Sequence, residues 1–230
     1  MTSSFAGGVV GYSSTSEGIV SVSDCYSTGS VNSSCEYSPF TSVSFAGGVV
    51  GYNDSGDNAT AIVSNCYSTA TVSSSCESSS LNTVSHAGGV VGCSSYGVNT
   101  SVSNCAALNP SISCTNNIYI DFGRIHGNIW KAIGTLSNNI AFKYMLNPDG
   151  YPSWDNKGAS NFDGEDISYQ AIFEDGTLGN RFTSTNGWTT QNGKLPNFIF
   201  PFFCSNIELL AMKMRKNMQN FRFFGGFLKK

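Results

Sequence analysis

The chain has 230 residues, enough for a sizeable core, and only 12% of them are charged, against an ordinary quarter or so. No Lys or Arg precedes Arg124, whereas seven acidic residues do, so the first half lacks the basic footprint needed for nucleic acid or an anionic lipid surface. Residues 1–204 hold six Lys or Arg against fourteen Asp or Glu, and residues 205–230 hold six against one. No apolar run of about 18 residues marks a membrane span, and no signal peptide is visible.

The octapeptide FAGGVVGY stands at residues 5–12 and again at 45–52, and HAGGVVGC follows at 86–93. Self-similarity at a period of about 40 residues marks a repeat architecture. The units run over 5–44, 45–85 and 86–121, and a worn fourth over 122–147. In the fourth, FGRIHG overlays AGGVVG and LSNNIA overlays VSDCYS. Gly7, Gly8 and Gly11, then Gly47, Gly48 and Gly51, then Gly88, Gly89 and Gly92, fit a tight corner or a close backbone approach. The segments IVSVSDCYSTGSV, AIVSNCYSTATV and VSNCAALNPSI alternate apolar with Ser, Thr or Asn at period two, which is strand patterning.

One such unit cannot bury its own apolar face, and stacking makes a continuous core. The expected fold is therefore all-β: a parallel β-helix (β-solenoid) of about four 40-residue repeats, with a C-terminal cap and a short terminal helix. A β-sandwich is the competitor, but its strands occupy unlike environments and these units are nearly identical. Each unit is long enough for one large or two small coils, and two is the favoured reading.

Cysteines come in pairs nine or ten residues apart: Cys25 with Cys35, Cys66 with Cys76, Cys105 with Cys114. The fourth unit loses both partners together. Two readings stay open, a disulfide within each unit or a ladder of buried thiols. No zinc spacing is present, and the only histidines are His86 and His126. Cys93 and Cys204 have no motif-linked His, so no nucleophile is expected. No metal or cofactor site is expected.

The segments AGGVVGY, VSDCYSTGSV and VSNCYSTATV resemble the GLUG motif repeat, with Val9, Val49 and Val90 where Leu is usual. GWTTQNGKLPNF at 187–198 is similar to the Trp-to-GKLP ending that follows such repeats in large bacterial surface proteins, notably of gut Bacteroidales. The resemblance implies an extracellular or surface-anchored protein with the repeats as stalk or adhesive region. It also implies kinship with repeats attached to immunoglobulin-A-cleaving metallopeptidases, and it carries no catalytic residues. Entry into the first repeat by Phe5 leaves no room for an N-terminal cap, so a truncated chain is expected, its export signal and further repeats lost.

Residues 148–200 change character and are expected to cap the solenoid. Asp163, Glu165 and Asp166 admit a calcium site or a glycosidase pair, but a solvated turn is preferred. Trp154 and Trp188 are expected to plug the core end rather than stack on sugars. Residues 201–230 read as a basic amphipathic helix, through which alone membrane contact is expected, although an alien tail or an end helix ranks higher.

The expected function is non-catalytic: a stalk or adhesin displaying a neutral polar face to glycans or to host or cell-surface proteins. The alternatives are a carbohydrate-active β-helix enzyme and an accessory region of a secreted metallopeptidase. Against the first, Glu17, Asp54 and Asp57 fall in variable turns. Against catalysis by the second, HExxH is absent.

Overall fold

The computed structural model describes residues 2–36, 41–77, 82–94, 99–116, 119–127 and 134–198. The basic tail and its expected helix lie outside these residues. The first coil consists of β1 (Thr2–Gly7), β2 (Val10–Ser23), β3 (Tyr26–Ser27) and β4 (Ser30–Cys35). The second repeats it with β5 (Ser42–Gly47), β6 (Val50–Ser64), β7 (Tyr67–Ser68) and β8 (Thr71–Cys76). The third has β9 (Thr83–Gly88), β10 (Val91–Ser94), β11 (Thr100–Ser103), β12 (Ala106–Ala107) and β13 (Ile112–Asn116). The fourth keeps β14 (Tyr119–Gly123), β15 (Thr135–Ser137) and β16 (Ile140–Phe142), and β17 (Glu165–Ile167) adds a strand beyond it.

Like strands pair with like, always parallel and in chain order: β1-β5-β9-β14, β4-β8-β13 and β3-β7-β12-β16-β17, with β2, β6, β10, β11 and β15 in the remaining wall. This is a parallel β-helix. Each unit makes one large coil, since Phe5 lies beside Phe45 and Tyr26 beside Tyr67, a full unit away. The two-coil expectation is thereby corrected. A small coil of about 20 residues would have paired strands within a unit. Instead β2 and β6 each run unbroken along one long wall, leaving one turn of chain per repeat. The second unit's extra residue is taken up by a register shift between Thr15 and Glu17 on the β2–β6 pair.

Alternation decides which side chains enter the coil. Val22, Val63 and Val102 stack on one wall, Val31, Val72 and Ile112 on another, and all are buried. Each is worth roughly 1.5–3 kcal/mol when withdrawn from water. The turn before each first-cysteine position, which Asn139 holds in the fourth coil, is made by Asp24, Asn65, Asn104 and Asn138, each at φ between 52° and 54°. This left-handed conformation is one that Asn and Asp tolerate better than other side-chain-bearing residues.

The segment after the fourth unit does two things. Phe162 continues the stack: its carbonyl accepts from Ile125 and His126 N–H, as the Ile125 carbonyl does from Val90 and Val91. Further on, α1 (Tyr169–Phe173) leads to the antiparallel pair β18 (Trp188–Thr189) and β19 (Asn197–Phe198). This last part turns back along the outside of the β3-β7 wall. Tyr67 donates to the Pro196 carbonyl at 2.7 Å and Tyr26 to Asn197 Oδ1 at 3.2 Å. Trp188 is buried against Tyr67, Phe182 and Phe198. The GKLP-type ending thus docks on the tyrosine column of the repeat.

Candidate binding surface

The repeat glycines lie where backbones meet. A Cβ on Gly7, Gly47 or Gly88 would strike the carbonyl of Val10, Val50 or Val91, closing the turn against itself. On Gly8, Gly48 or Gly89 it would strike the carbonyl of the next coil's Gly48, Gly89 or Arg124. On Gly51 and Gly92 it would meet the preceding coil's Gly11 and Gly51 carbonyls, whereas Gly11, on the first coil, would meet Phe5 O at 3.0 Å. Close approach, rather than a left-handed backbone, is why glycine stands at these nine positions.

In the fourth coil Arg124 takes the second-glycine position and is wholly buried. Its guanidinium donates to Asp166 Oδ1 at 2.7 Å and to the Phe142 and Gly164 carbonyls at 3.2 and 3.1 Å. Trp154 lies over it at 5.8 Å. Burial pulls the Arg124 pKa down, against the hydrogen bond and charge of Asp166. Asp163 accepts from the backbone N–H of Arg124 at 3.1 Å and of Asn156 at 2.8 Å. Burial pushes its pKa up despite those bonds. For Asp166, burial also pushes upward, but Arg124 and then Lys157 outweigh it, and its pKa falls below the usual carboxylate range.

The acidic stretch is therefore not the solvated turn expected, because an arginine embedded in the core draws Asp166 onto it and Asp163 caps the chain entering it. Glu165 is exposed, 4.0 Å from Arg181. Among the described residues no group of three or more His, Cys, Asp or Glu is placed to hold a metal. Trp154 is buried and donates to the Met145 carbonyl at 2.9 Å, as a plug would.

The cysteines depart from the within-unit pairing. Cys35 and Cys76 form a disulfide between adjacent coils, their Cα atoms 4.6 Å apart. Cys25, Cys66, Cys105, Cys114 and Cys93 are not in disulfides, and Cys204 lies outside the described residues. The physical reason is register. The two cysteines of a unit stand on different walls, whereas Cys35 and Cys76 are neighbours on parallel strands. Cys25, Cys66 and Cys105 form the thiol column that was the other reading. Burial, with Cys66 beside it, pushes Cys25 up to about 11; the Cys105 thiol and burial push Cys66 upward too. Cys114 does not reach the second-cysteine rung, which Asn116 holds; Cys114 pairs with Ser74.

That serine slot belongs to a feature sequence reading missed. Ser33 and Ser74 on one wall interleave with Ser4, Ser44 and Ser85 on the facing wall, through hydroxyl contacts of 2.8–3.0 Å. Cys114 ends this buried zigzag, its thiol 3.2 Å from the Ser85 carbonyl.

Two ring columns stand at the corner between the first and second strands of the early coils, with Phe45 and His86 buried within theirs. Phe5, Phe45 and His86 form one, at 5.4 and 4.9 Å. Tyr12 and Tyr52 form the other, at 5.5 Å, and Phe5 bridges the two at 5.1 Å from Tyr52. Tyr12 is 51% exposed and donates to Asp54 at 3.2 Å. Asp121 continues the first column, 3.3 Å from His86. His126 is separate and buried, 2.9 Å from Ser94 Oγ.

The architecture is that of a repeat-built parallel β-helix. Residues 46–73, within the second coil, match the family model described as the GLUG motif. The in-register strands show that the first and third coils repeat the same structural unit. The fold is shared with a crystal structure described as a putative immunoglobulin A1 protease from Bacteroides ovatus, at 20% identity and a TM-score of 0.58. The match covers 86% of this chain and 54% of that one, so the chain spans about half the length of its neighbour. No curated protein matches the chain.

Proposed function

We propose that this chain is a non-catalytic stalk and adhesive region of a secreted or surface protein, presenting a repeated outward face to glycans or proteins. The observation that carries the reading is the aromatic double column of Phe5, Phe45, Tyr12 and Tyr52, built by the repeat over the first two coils. The exposed Tyr12 ring, the half-buried rings of Phe5 and Tyr52, and the hydroxyls of Tyr12 and Ser14 suit many weak contacts whose sum is avidity. Non-catalysis is supported by the buried carboxylates being engaged, Asp121 by His86 and Asp163 by two backbone amides.

The name of the Bacteroides ovatus structure favours one second reading, an accessory repeat region of a secreted peptidase. A glycan array probed with the chain and with a Tyr12→Ala/Tyr52→Ala variant tests the first. Binding lost in the variant, with no product released, supports it; release of cleaved polysaccharide overturns it.

A further inference from the structure

A cleft of about 410 Å³ opens beside β14, where the chain from the fourth coil passes Trp154. That volume is within the range of small-molecule sites. One wall is Ile120, Asp121 and Phe122; the other is the turn carrying Asp149, Tyr151, Ser153 and Asp155. The rim is held in shape from behind. Asn147 accepts from Tyr151 N–H at 3.0 Å and donates to the Ser153 carbonyl at 3.2 Å. Trp154 is anchored on Met145, and Asn156 N–H on Asp163.

The lining splits into groups already committed and groups with nothing to do. Asp163 uses both carboxylate oxygens on backbone amides, and Asp121 faces His86. The side chains of Asp149, Tyr151, Ser153 and Asp155 make no hydrogen bond or ion pair among the described residues, and Tyr151 is 64% exposed. Among the described residues no Lys or Arg lines the cleft: Lys157 is tied to Asp166, and Arg124 is sealed behind Trp154. An anionic ligand would meet carboxylates with no countercharge. What fits is an uncharged molecule rich in hydroxyl donors, with an apolar face for the tyrosine ring.

We propose that this cleft is a binding subsite for a neutral saccharide, which stacks on Tyr151 and donates hydroxyls to Asp155 and Asp149. The proposal rests on the adhesive reading above and gives it a ligand class and an end point. The Phe5–Phe45–His86 column runs in register into Asp121, which lines the cleft, with Phe45, His86 and Asp121 themselves buried.

The test uses the full chain with cellohexaose, mannohexaose and maltohexaose as neutral probes and polygalacturonate as the anionic one, read by calorimetry. At least one neutral probe is expected to bind. Tyr151→Ala and Asp155→Asn, both at exposed positions and checked by thermal melt, should each weaken it about tenfold or more, roughly 1.4 kcal/mol. Added salt should leave saccharide binding unchanged, because no ion pair is formed. The proposal is overturned if no neutral probe binds, if polygalacturonate binds instead, or if salt abolishes binding as it would for a cation held by the carboxylates. It is also overturned if a saccharide binds but both cleft variants leave it intact. In that last case, loss on Tyr12→Ala/Tyr52→Ala would keep the adhesive reading and remove the cleft from it.

Discussion

Cys35 and Cys76 stand opposite each other on neighbouring parallel strands, and the bond between them ties the first coil to the second. Their Cα separation of 4.6 Å is close to the natural spacing of paired strands, so the register itself presents the two sulfurs to each other. The bond closes a loop with a sequence separation of 41, which in the chain-entropy picture is worth about 4 kcal/mol. A glutamate-specific protease distinguishes this pairing from one within each unit. Cleavage after Glu17, Glu36 and Glu77 puts Cys25 and Cys35 on fragment 18–36, and Cys66 and Cys76 on fragment 37–77. The two fragments should stay joined until reductant is added. Separation without reductant would refute the inter-coil bond.

Gly48 is a position at which the stack leaves no room for a side chain. A Cβ there would drive into the Gly89 carbonyl above and lie 2.7 Å from Ser68 Cβ inside the coil. Neither obstacle is the free end of a flexible side chain. Gly48→Ala should therefore cost at least about 3 kcal/mol by overpacking, or prevent folding. Gly11→Ala, on the first coil, meets its nearest atom at 3.0 Å and should cost less. Urea denaturation of the two variants compares them directly; equal losses would show that inter-coil approach is not what the glycine serves.

Strand patterning, the repeat period and the glycines made the solenoid legible in the sequence, because each is a local signal repeated in phase. The coil size was not legible. Nothing local in IVSVSDCYSTGSV says whether its partner lies 20 or 40 residues away; the long wall formed by β2 and β6 settles that. The serine zigzag was hidden for a related reason. Ser33, Ser44 and Ser74 look like the polar half of an alternating strand, yet they point inward, where facing hydroxyls satisfy one another.

The displacement of Cys114 shows how register overrides spacing. Nine residues separate Cys105 from Cys114, against ten between Cys66 and Cys76. The third coil also has one more residue between its third and fourth walls, so Ala106 pairs with Tyr67 but Ile112 with Val72. Cys114 ends two positions short. A shift of two keeps it facing inward, in a serine's place. At the acidic stretch, no property of DGEDIS announces the arginine some 40 residues earlier that turns Asp166 into its partner.

That arginine site gives the stability of the chain a defined pH dependence. Asp166 is held below its ordinary pKa by Arg124 and Lys157 against the opposing effect of burial, so its contribution is complete above the unfolded carboxylate value. It is lost as pH falls through the lower, folded value. Asp163 has the opposite sign. Burial raises its pKa, so its charged form costs stability at neutral pH and that cost is relieved as pH falls through the raised value. Asp166→Asn should flatten the acid limb of a plot of melting temperature against pH. Asp163→Asn should steepen it. Parallel curves for wild type and both variants would disprove the assignment.

Asn139 tests whether the fourth coil's loss of its first cysteine is decay or adaptation. It occupies the cysteine column directly beyond Cys105 and is fully buried. Its Oδ1 accepts from Cys105 N–H at 2.9 Å, and its Nδ2 donates to the Val102 carbonyl at 2.9 Å. In the preceding coils the Cys66 and Cys105 thiols, weak donors, reach the equivalent Val22 and Val63 carbonyls only at 3.7 and 3.9 Å, whereas the carboxamide supplies a strong donor and a strong acceptor. Restoring the repeat residue, Asn139→Cys, should therefore destabilise the protein by about 2–3 kcal/mol, the cost of orphaning buried backbone groups. Amide hydrogen exchange should show the loss at Cys105 N–H first. A variant as stable as the parent, with Cys105 still protected, would mean that the asparagine contributes nothing the cysteine did not.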